Sequence, residues 1–244
     1  MPSPRLLFES LRRAARDPVF RRDLLWRRLR RPPGVFQISG DTSEDRYPEI
    51  FRFVCDSLGE RPGLRLLSFG CSTGEEVFTL RRYAPRAVID GIDVNPYRIK
   101  ACRERLWREG NDQGLHFAVA VSTKHLPDAC YDAIFCMAVL RHGGLQAGPA
   151  PCCARLIRFA AFERTVEDFA RCLKPGGFLA IVHSNFRFSD TAVAAAFDVV
   201  MHSGRDRPNP KTPLYGPDDR LLPGAVYREI IFRKRVVPQL PGAG

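Results

Sequence analysis

One segment constrains this chain more than any other: Leu66-Leu67-Ser68-Phe69-Gly70-Cys71-Ser72-Thr73-Gly74-Glu75-Glu76. A short apolar run ends in a bend of small residues, and a polar, helix-forming stretch begins at once. That is the start of a strand–turn–helix unit. The same alternation continues downstream. Glu75–Tyr83 reads as helix, Ala87–Asp93 as strand, and Asn95-Pro96 as a helix start with Asn as cap and Pro at the first helical position. That helix runs to about Glu109. Leu115–Val121 and Tyr131–Met137 are further strands. Phe162–Leu173 is a helix stopped by Lys174-Pro175-Gly176-Gly177, and Phe178–His183 is a strand. Strands alternating with helices predict an α/β fold, a mostly parallel sheet with helices on both faces.

Two segments fall outside that alternation. Ahead of it, Tyr47, Ile50, Phe51, Val54 and Leu58 sit at helical spacing. After it, Phe197–Met201 and Tyr227–Arg233 read as two closing strands, joined by a Pro-rich stretch (Pro208, Pro210, Pro213, Pro217, Pro223). A loop of this length is uncommon unless it covers or binds something. The expected fold is a seven-stranded, mostly parallel sheet with a C-terminal antiparallel hairpin and an N-terminal helical arm. The domain division is 1–45 for the arm and 46–244 for the body.

The arm stands out by charge. The whole chain is +11, and residues 1–31 contribute ten Arg against three acids. The body is therefore nearly balanced. Residues 5–31 read as amphipathic helix, broken or restarted at Asp17-Pro18, with Leu6, Leu7, Leu11, Leu24 and Leu25 on its apolar stripe. A packed helix with a solvated Arg face, a lid, and a nucleic-acid or membrane-surface contact all fit that pattern. No apolar run approaches the ~20 residues that span a bilayer, and no export signal is evident. None of the eight cysteines forms a CxxC pair or zinc-like spacing with His, so no metal is expected. Several lie in apolar runs as small hydrophobes. A cytoplasmic location is expected.

The bend after the first strand is where ligand chemistry is expected. Gly70 and Gly74 let a ligand approach the backbone, and the following helix aims unpaired N–H groups at the same place. Open α/β sheets bind ligands at such strand ends. The bend is neither G-x-G-x-x-G nor a Walker A loop, and Glu75-Glu76 would repel a polyphosphate. Asp93 ends the next strand, 19 residues after Gly74. A carboxylate there can accept both hydroxyls of a ribose. A lone Asp at a strand tip is as often a turn cap; the pairing with the glycine bend points to a nucleoside.

These residues resemble the class I S-adenosylmethionine (SAM)-dependent methyltransferases. Gly70–Gly74 is similar to the family's glycine-rich first motif and Asp93 to its ribose-binding acid. Tyr131-Asp132-Ala133-Ile134-Phe135-Cys136 is similar to the fourth-strand motif, and Leu173-Lys174-Pro175-Gly176-Gly177 to the turn before the fifth strand. The four motifs fall in order over about 120 residues. The resemblance implies that Gly70, Cys71, Ser72 and Gly74 line the methionine and ribose of SAM. It also implies that Asp93 takes the ribose, Val94 packs on adenine, and Ser122 and Thr123 meet the adenine amino group. Cys136 and Met137 would face the sulfonium. Ser68 stands where the family usually has an acid, and Ser122 where it usually has Asp. The run Cys71–Glu76, and His183-Ser184-Asn185, also look like the chemotaxis-receptor glutamate methyltransferases at loop level.

The implied function is transfer of a methyl group from SAM to a small-molecule N- or O-acceptor, in biosynthesis. His142 is the candidate base; Tyr47, Arg46 and Asn185 are candidates for binding the SAM carboxylate or the acceptor. Gly143–Ala161 would extend the rim of the site. The Pro-rich loop and the arm would cover the acceptor. Three other readings remain. SAM itself could be cyclised with release of methylthioadenosine, as in azetidine-2-carboxylate synthases. The Arg-rich arm could direct methylation to nucleic acid or protein, although aromatics do not interleave with its arginines and no Asn-Pro-Pro-Tyr-type motif is present. The chain could bind SAM without turnover.

Overall fold

In a computed structural model of the chain, the described residues are 35–37, 40, 42–146, 148–204 and 212–236, with five positions between 15 and 26. The helical arm expected over 5–31 therefore lies outside the described residues, apart from those five positions. The elements follow as α1 (Pro48–Leu58), β1 (Arg65–Phe69), α2 (Glu75–Tyr83), β2 (Val88–Asp93), α3 (Pro96–Arg108), β3 (Leu115–Val119), β4 (Tyr131–Met137), α4 (Phe159–Cys172), β5 (Leu173–Val182), β6 (Phe197–His202) and β7 (Glu229–Lys234).

The strands form one sheet in the order β3-β2-β1-β4-β5-β7-β6. Strands β1 to β5 pair in parallel, while β7 runs antiparallel to both β5 and β6. The closing hairpin is as the sequence predicts. All seven residues of β4 are buried, which explains why a strand covered on both faces reads as an unbroken apolar run. Alternate residues of β1 feed two core layers. Leu67 and Phe69 join Phe162, Val166 and Phe169 of α4. Leu66 packs on the other face with Val54 of α1, Leu80 of α2 and Ile99 of α3.

Local chemistry sets the element ends. The Asn95 side chain accepts a hydrogen bond of 2.9 Å from the Tyr97 N–H, with Pro96 following it. Helix α4 starts at Phe159, three residues before the sequence suggests. Its first N–H is capped from a distance, donating to Asp219 Oδ1 at 2.6 Å, a partner no local pattern reveals. The Lys174–Gly177 turn belongs to β5 and bulges out of it: Tyr131 pairs with Leu173, and Ala133 next pairs with Phe178. A Cβ on Gly177 would lie 2.9 Å from Lys174 O and 3.0 Å from Asp132 O, so only glycine fits.

Buried charge near the start of β1 and β4 is structural. Asp90 accepts from Tyr131 Oη at 2.7 Å and Arg65 Nε at 2.8 Å. Asp132 accepts from Arg61 and Lys174, each at 2.7 Å. The opposite, carboxyl edge of the sheet carries the site.

Candidate active site

At that edge lies a cavity of about 320 Å³, within the ~300–1,000 Å³ usual for small-molecule sites. The sheet order arranges its walls. Ala120 and Val121 follow β3, Asp93 and Val94 end β2, Phe69 to Ser72 end β1, and Met137 to Val139 end β4, with Arg141 and Gly143 beyond. Residues 35–37, 40, 42 and 43 and the start of α1 close the remaining side.

The bend is tight because the neighbouring strand crowds it. Gly70 has φ +77°, and a Cβ there would lie 2.5 Å from Val139 Cγ2. Gly74 has φ +94°, and a Cβ there would lie 3.1 Å from the Phe78 ring and 3.2 Å from Cys102 Sγ. Three non-glycine residues with positive φ also cluster at strand ends here: Ser72 after β1, Ala138 after β4 and His183 after β5. Left-handed backbone at such residues is costly and concentrates at functional sites.

Asp93 is buried, and both its oxygens are oriented. Oδ2 accepts from the Ser72 N–H at 3.0 Å and Oδ1 from the Asn95 N–H at 2.8 Å. Arg98 Nη1 stands 3.7 Å from Oδ2 and is itself buried. Arg98 in turn fixes Gly40, where any Cβ would collide with the guanidinium. Ser72 Oγ donates to Gly40 O at 2.9 Å. The segment before α1 is thus fastened to the bend. Glu44 secures it further, accepting from Arg105 at 2.6 Å and Arg82 at 3.1 Å, and these two arginines hold its carboxyl below the usual range.

The Ser68 position resolves into a pair. Ser68 Oγ donates to Glu76 Oε1 at 2.7 Å, so a carboxylate from the first turn of α2 reaches the place where the first strand lacks one. Burial pushes Glu76 up to about 7, against the lowering effects of Ser68 and Arg46. At the β4–β5 end, Tyr47 packs against His183 with ring centroids 6.0 Å apart. Burial, with Arg141 and Arg46 nearby, pushes His183 down to about 4, so it is neutral near pH 7. Burial also raises the Cys71 and Cys136 thiols well above their ordinary value, which leaves them unreactive.

The residues singled out in the sequence divide clearly. Gly70, Cys71, Ser72, Asp93, Val94, Met137, Tyr47 and Arg46 line the cavity. Gly74, Ser122, Thr123 and Cys136 do not; Ala120 and Val121 take the wall expected of Ser122 and Thr123, and Cys136 turns into the α4 core layer. His142 and Asn185 also stand outside the walls. His142 Nδ1 accepts from the Gly144 N–H at 3.1 Å, capping a short 3-10 turn. Asn185 is fully buried; its Oδ1 accepts from the His142 N–H and its Nδ2 donates to Pro213 O, both at 2.7 Å. Both side chains hydrogen-bond to loop backbone, and neither lines the cavity in which a catalytic role was expected of them. The described part of the Pro-rich loop, residues 212–224, packs on the 150–159 region and contributes nothing to the walls, with Tyr215 Oη donating to Ala150 O at 3.0 Å. It does not cover the cavity; Gly143 and Gln146 do form part of the rim. Sequence patterns alone do not single out Arg98, Arg141, Gln37 or the Glu76–Ser68 pair. Among the described residues no cluster of His, Cys, Asp and Glu is placed to hold a metal ion, and no helix is long and apolar enough to cross a membrane.

A glycine bend and an acid at adjacent parallel strand tips, facing one cavity, form the arrangement in which open α/β sheets bind nucleosides. Residues 67–181 match the family model described as a methyltransferase domain. Over that stretch the chain is similar to methyltransferase domains. Two curated relatives are each 27% identical. One is the ribosomal RNA small subunit methyltransferase C of Hahella chejuensis, aligned over 62% of this chain and 40% of its own length. The other is malonyl-[acyl-carrier protein] O-methyltransferase 1 of Ilyobacter polytropus, over 39% of this chain and 37% of its own. The chain thus spans about two fifths of the length of these relatives. Similar solved structures include the YcgJ protein of Bacillus subtilis, with 16% identity, a TM-score of 0.44 and coverage of 59% of this chain and 54% of that one. Geranyl diphosphate C-methyltransferase of Streptomyces coelicolor has 14% identity, a TM-score of 0.41 and coverage of 55% and 44%.

Proposed function

We propose that the chain transfers a methyl group from SAM to a small-molecule acceptor. The observation that carries this reading is the shared cavity wall formed by the Gly70–Ser72 bend and Asp93. In this reading Asp93 accepts the ribose hydroxyls, Val94, Ala120 and Val121 flank adenine, and Glu76 receives the methionine ammonium. The wall from Met137 to Val139 then faces the sulfonium. Methyl transfer is an in-line displacement, and the protein's main task is to hold the nucleophile ~3–3.5 Å from the methyl carbon. Residues 35–37, 40, 42 and 43 wall one side of the cavity, which favours a small acceptor over a polymer.

The experiment is incubation of the protein with SAM alone and with acceptor panels, followed by identification of the adenosyl product. S-adenosylhomocysteine (SAH) formed only with an acceptor is expected. Methylthioadenosine from SAM alone would instead indicate cyclisation or cleavage of SAM. Methylation of RNA in place of small acceptors would overturn the acceptor class.

A further inference from the structure

The roles given above leave one end of the cavity, at Arg141 and Tyr47, with no assigned ligand group. Following the sheet order, Asp93 on β2 and Tyr47 beside the β5 tip are three strand steps apart, about 14 Å at ~4.8 Å per step. At that far end Arg141 is 9% exposed, and its Nε–H has no hydrogen-bond partner among the described residues. The Tyr47 hydroxyl is likewise buried and without a partner among them. The two groups lie close enough to bias each other's ionisation. Two buried donors without acceptors are costly in an empty site, and both belong to walls of the same cavity.

Charge points the same way. Among the described residues, the charged side chains of the cavity wall are Arg46, Arg98 and Arg141 against Glu76 and Asp93, a surplus of one positive charge. Arg98 faces Asp93, and Arg46 acts on Glu76. SAM itself is a net cation: a sulfonium and an ammonium against one carboxylate. A cationic donor entering a cationic site is electrostatically unfavourable. The balance is restored when the second ligand is an anion placed at Arg141.

Resting on the methyltransferase reading above, we propose that Arg141 and Tyr47 anchor the acceptor and that the acceptor is a small molecule bearing a carboxylate. Arg141 Nε–H donates to one carboxylate oxygen and Tyr47 Oη–H to the other. A guanidinium edge matches a planar carboxylate in a way an ammonium does not. The same carboxylate chemistry is present in SAM, so the test must separate donor from acceptor.

The test uses the full chain. SAH binding is measured first by calorimetry for the wild type, Arg141→Met, Arg141→Lys and Tyr47→Phe. The SAH-loaded proteins are then titrated with benzoate, octanoate and succinate, and with the corresponding amides. At least one carboxylate is expected to bind the wild type about tenfold or more tightly than its amide, the size of one charge-assisted pair. Arg141→Met should abolish that preference, while Arg141→Lys and Tyr47→Phe reduce it severalfold. SAH affinity should stay within about twofold throughout. Equal binding of carboxylate and amide, or no carboxylate binding, would overturn the proposal. So would a roughly tenfold loss of SAH affinity in Arg141→Met, which would assign Arg141 to the donor's carboxylate. Should Arg141→Met not fold, Tyr47→Phe and Arg141→Lys carry the same comparison. Failure of the wild type to bind SAH at all would sink the methyltransferase reading itself, a separately visible outcome.

Discussion

Replacing Glu76 by glutamine should stabilise the empty protein and weaken its hold on the donor, with a pH signature that isolates this one group. The folded protein raises Glu76 from an ordinary 4.5 to about 7, chiefly by burial. Each tenfold change in a protonation constant corresponds to about 1.4 kcal/mol, so the displacement is worth about 3 kcal/mol. The sign follows from proton binding. Between pH 4.5 and about 7 the folded state holds a proton on Glu76 that the unfolded chain has lost, so stability falls as pH rises through that window. Below 4.5 both states are protonated and nothing is lost. Above about 7 the full cost of an ionised, buried carboxylate is present. The glutamine that replaces it does not titrate. The wild-type and Glu76→Gln unfolding free energies, from denaturant midpoints and slopes between about pH 4 and 8.5, should therefore diverge by about 3 kcal/mol across the window, the variant being the more stable at high pH. A neighbouring ammonium reverses the cost. SAH binding near pH 6 should release about one proton from the wild type and none from the variant, measured by calorimetry in buffers of different ionisation heat. A difference between the two proteins that does not change with pH would refute the reasoning, because burial would then not be what Glu76 resists.

Three further outcomes follow from the site. Gly70→Ala forces a Cβ to 2.5 Å from Val139 Cγ2 at φ +77°; left-handed strain and overpacking together should cost ~2–5 kcal/mol, and Val139→Ala in the same chain should recover part of it in thermal unfolding. Asp93→Asn removes the carboxylate charge that faces buried Arg98, so stability should fall by about 1–3 kcal/mol, and SAH affinity should fall with it, whereas Asp90→Asn should spare SAH affinity in the same calorimetric titration. His142→Ala should lose ~0.5–2 kcal/mol as a removed cap with kcat within about threefold; a general base would cost ~10²–10⁴ in rate, and a loss of that size would return His142 to catalysis.

The parts of the fold that depend on local pattern are the parts the sequence shows. Runs such as Tyr131–Met137 are readable because a strand covered on both faces needs no polar residue, and Asn95-Pro96 marks α3 because cap and first turn adjoin in the chain. The start of α4 is hidden because its cap, Asp219, comes from 60 residues away. The same distance hides most of the site. Arg98 gains meaning only when Gly40 is folded over it. Ser68 looks like a missing acid until the bend lays Glu76 against it. His142 and Asn185 read as functional because both follow strand tips at the ligand edge. In the structure their side chains hydrogen-bond to loop backbone, a pairing that no local pattern shows. Residue type and position along the chain identify the ligand edge, but the direction each side chain takes is set by long-range packing.

A crystal structure of the chain with SAH tests the central claim most directly. It should show one adenosyl group per chain, its ribose hydroxyls on the Asp93 carboxylate and its methionine chain passing the Gly70 bend toward Glu76. An adenosyl group seated elsewhere, or an Asp93 that keeps to Arg98 and the backbone while the ribose finds other partners, would contradict it.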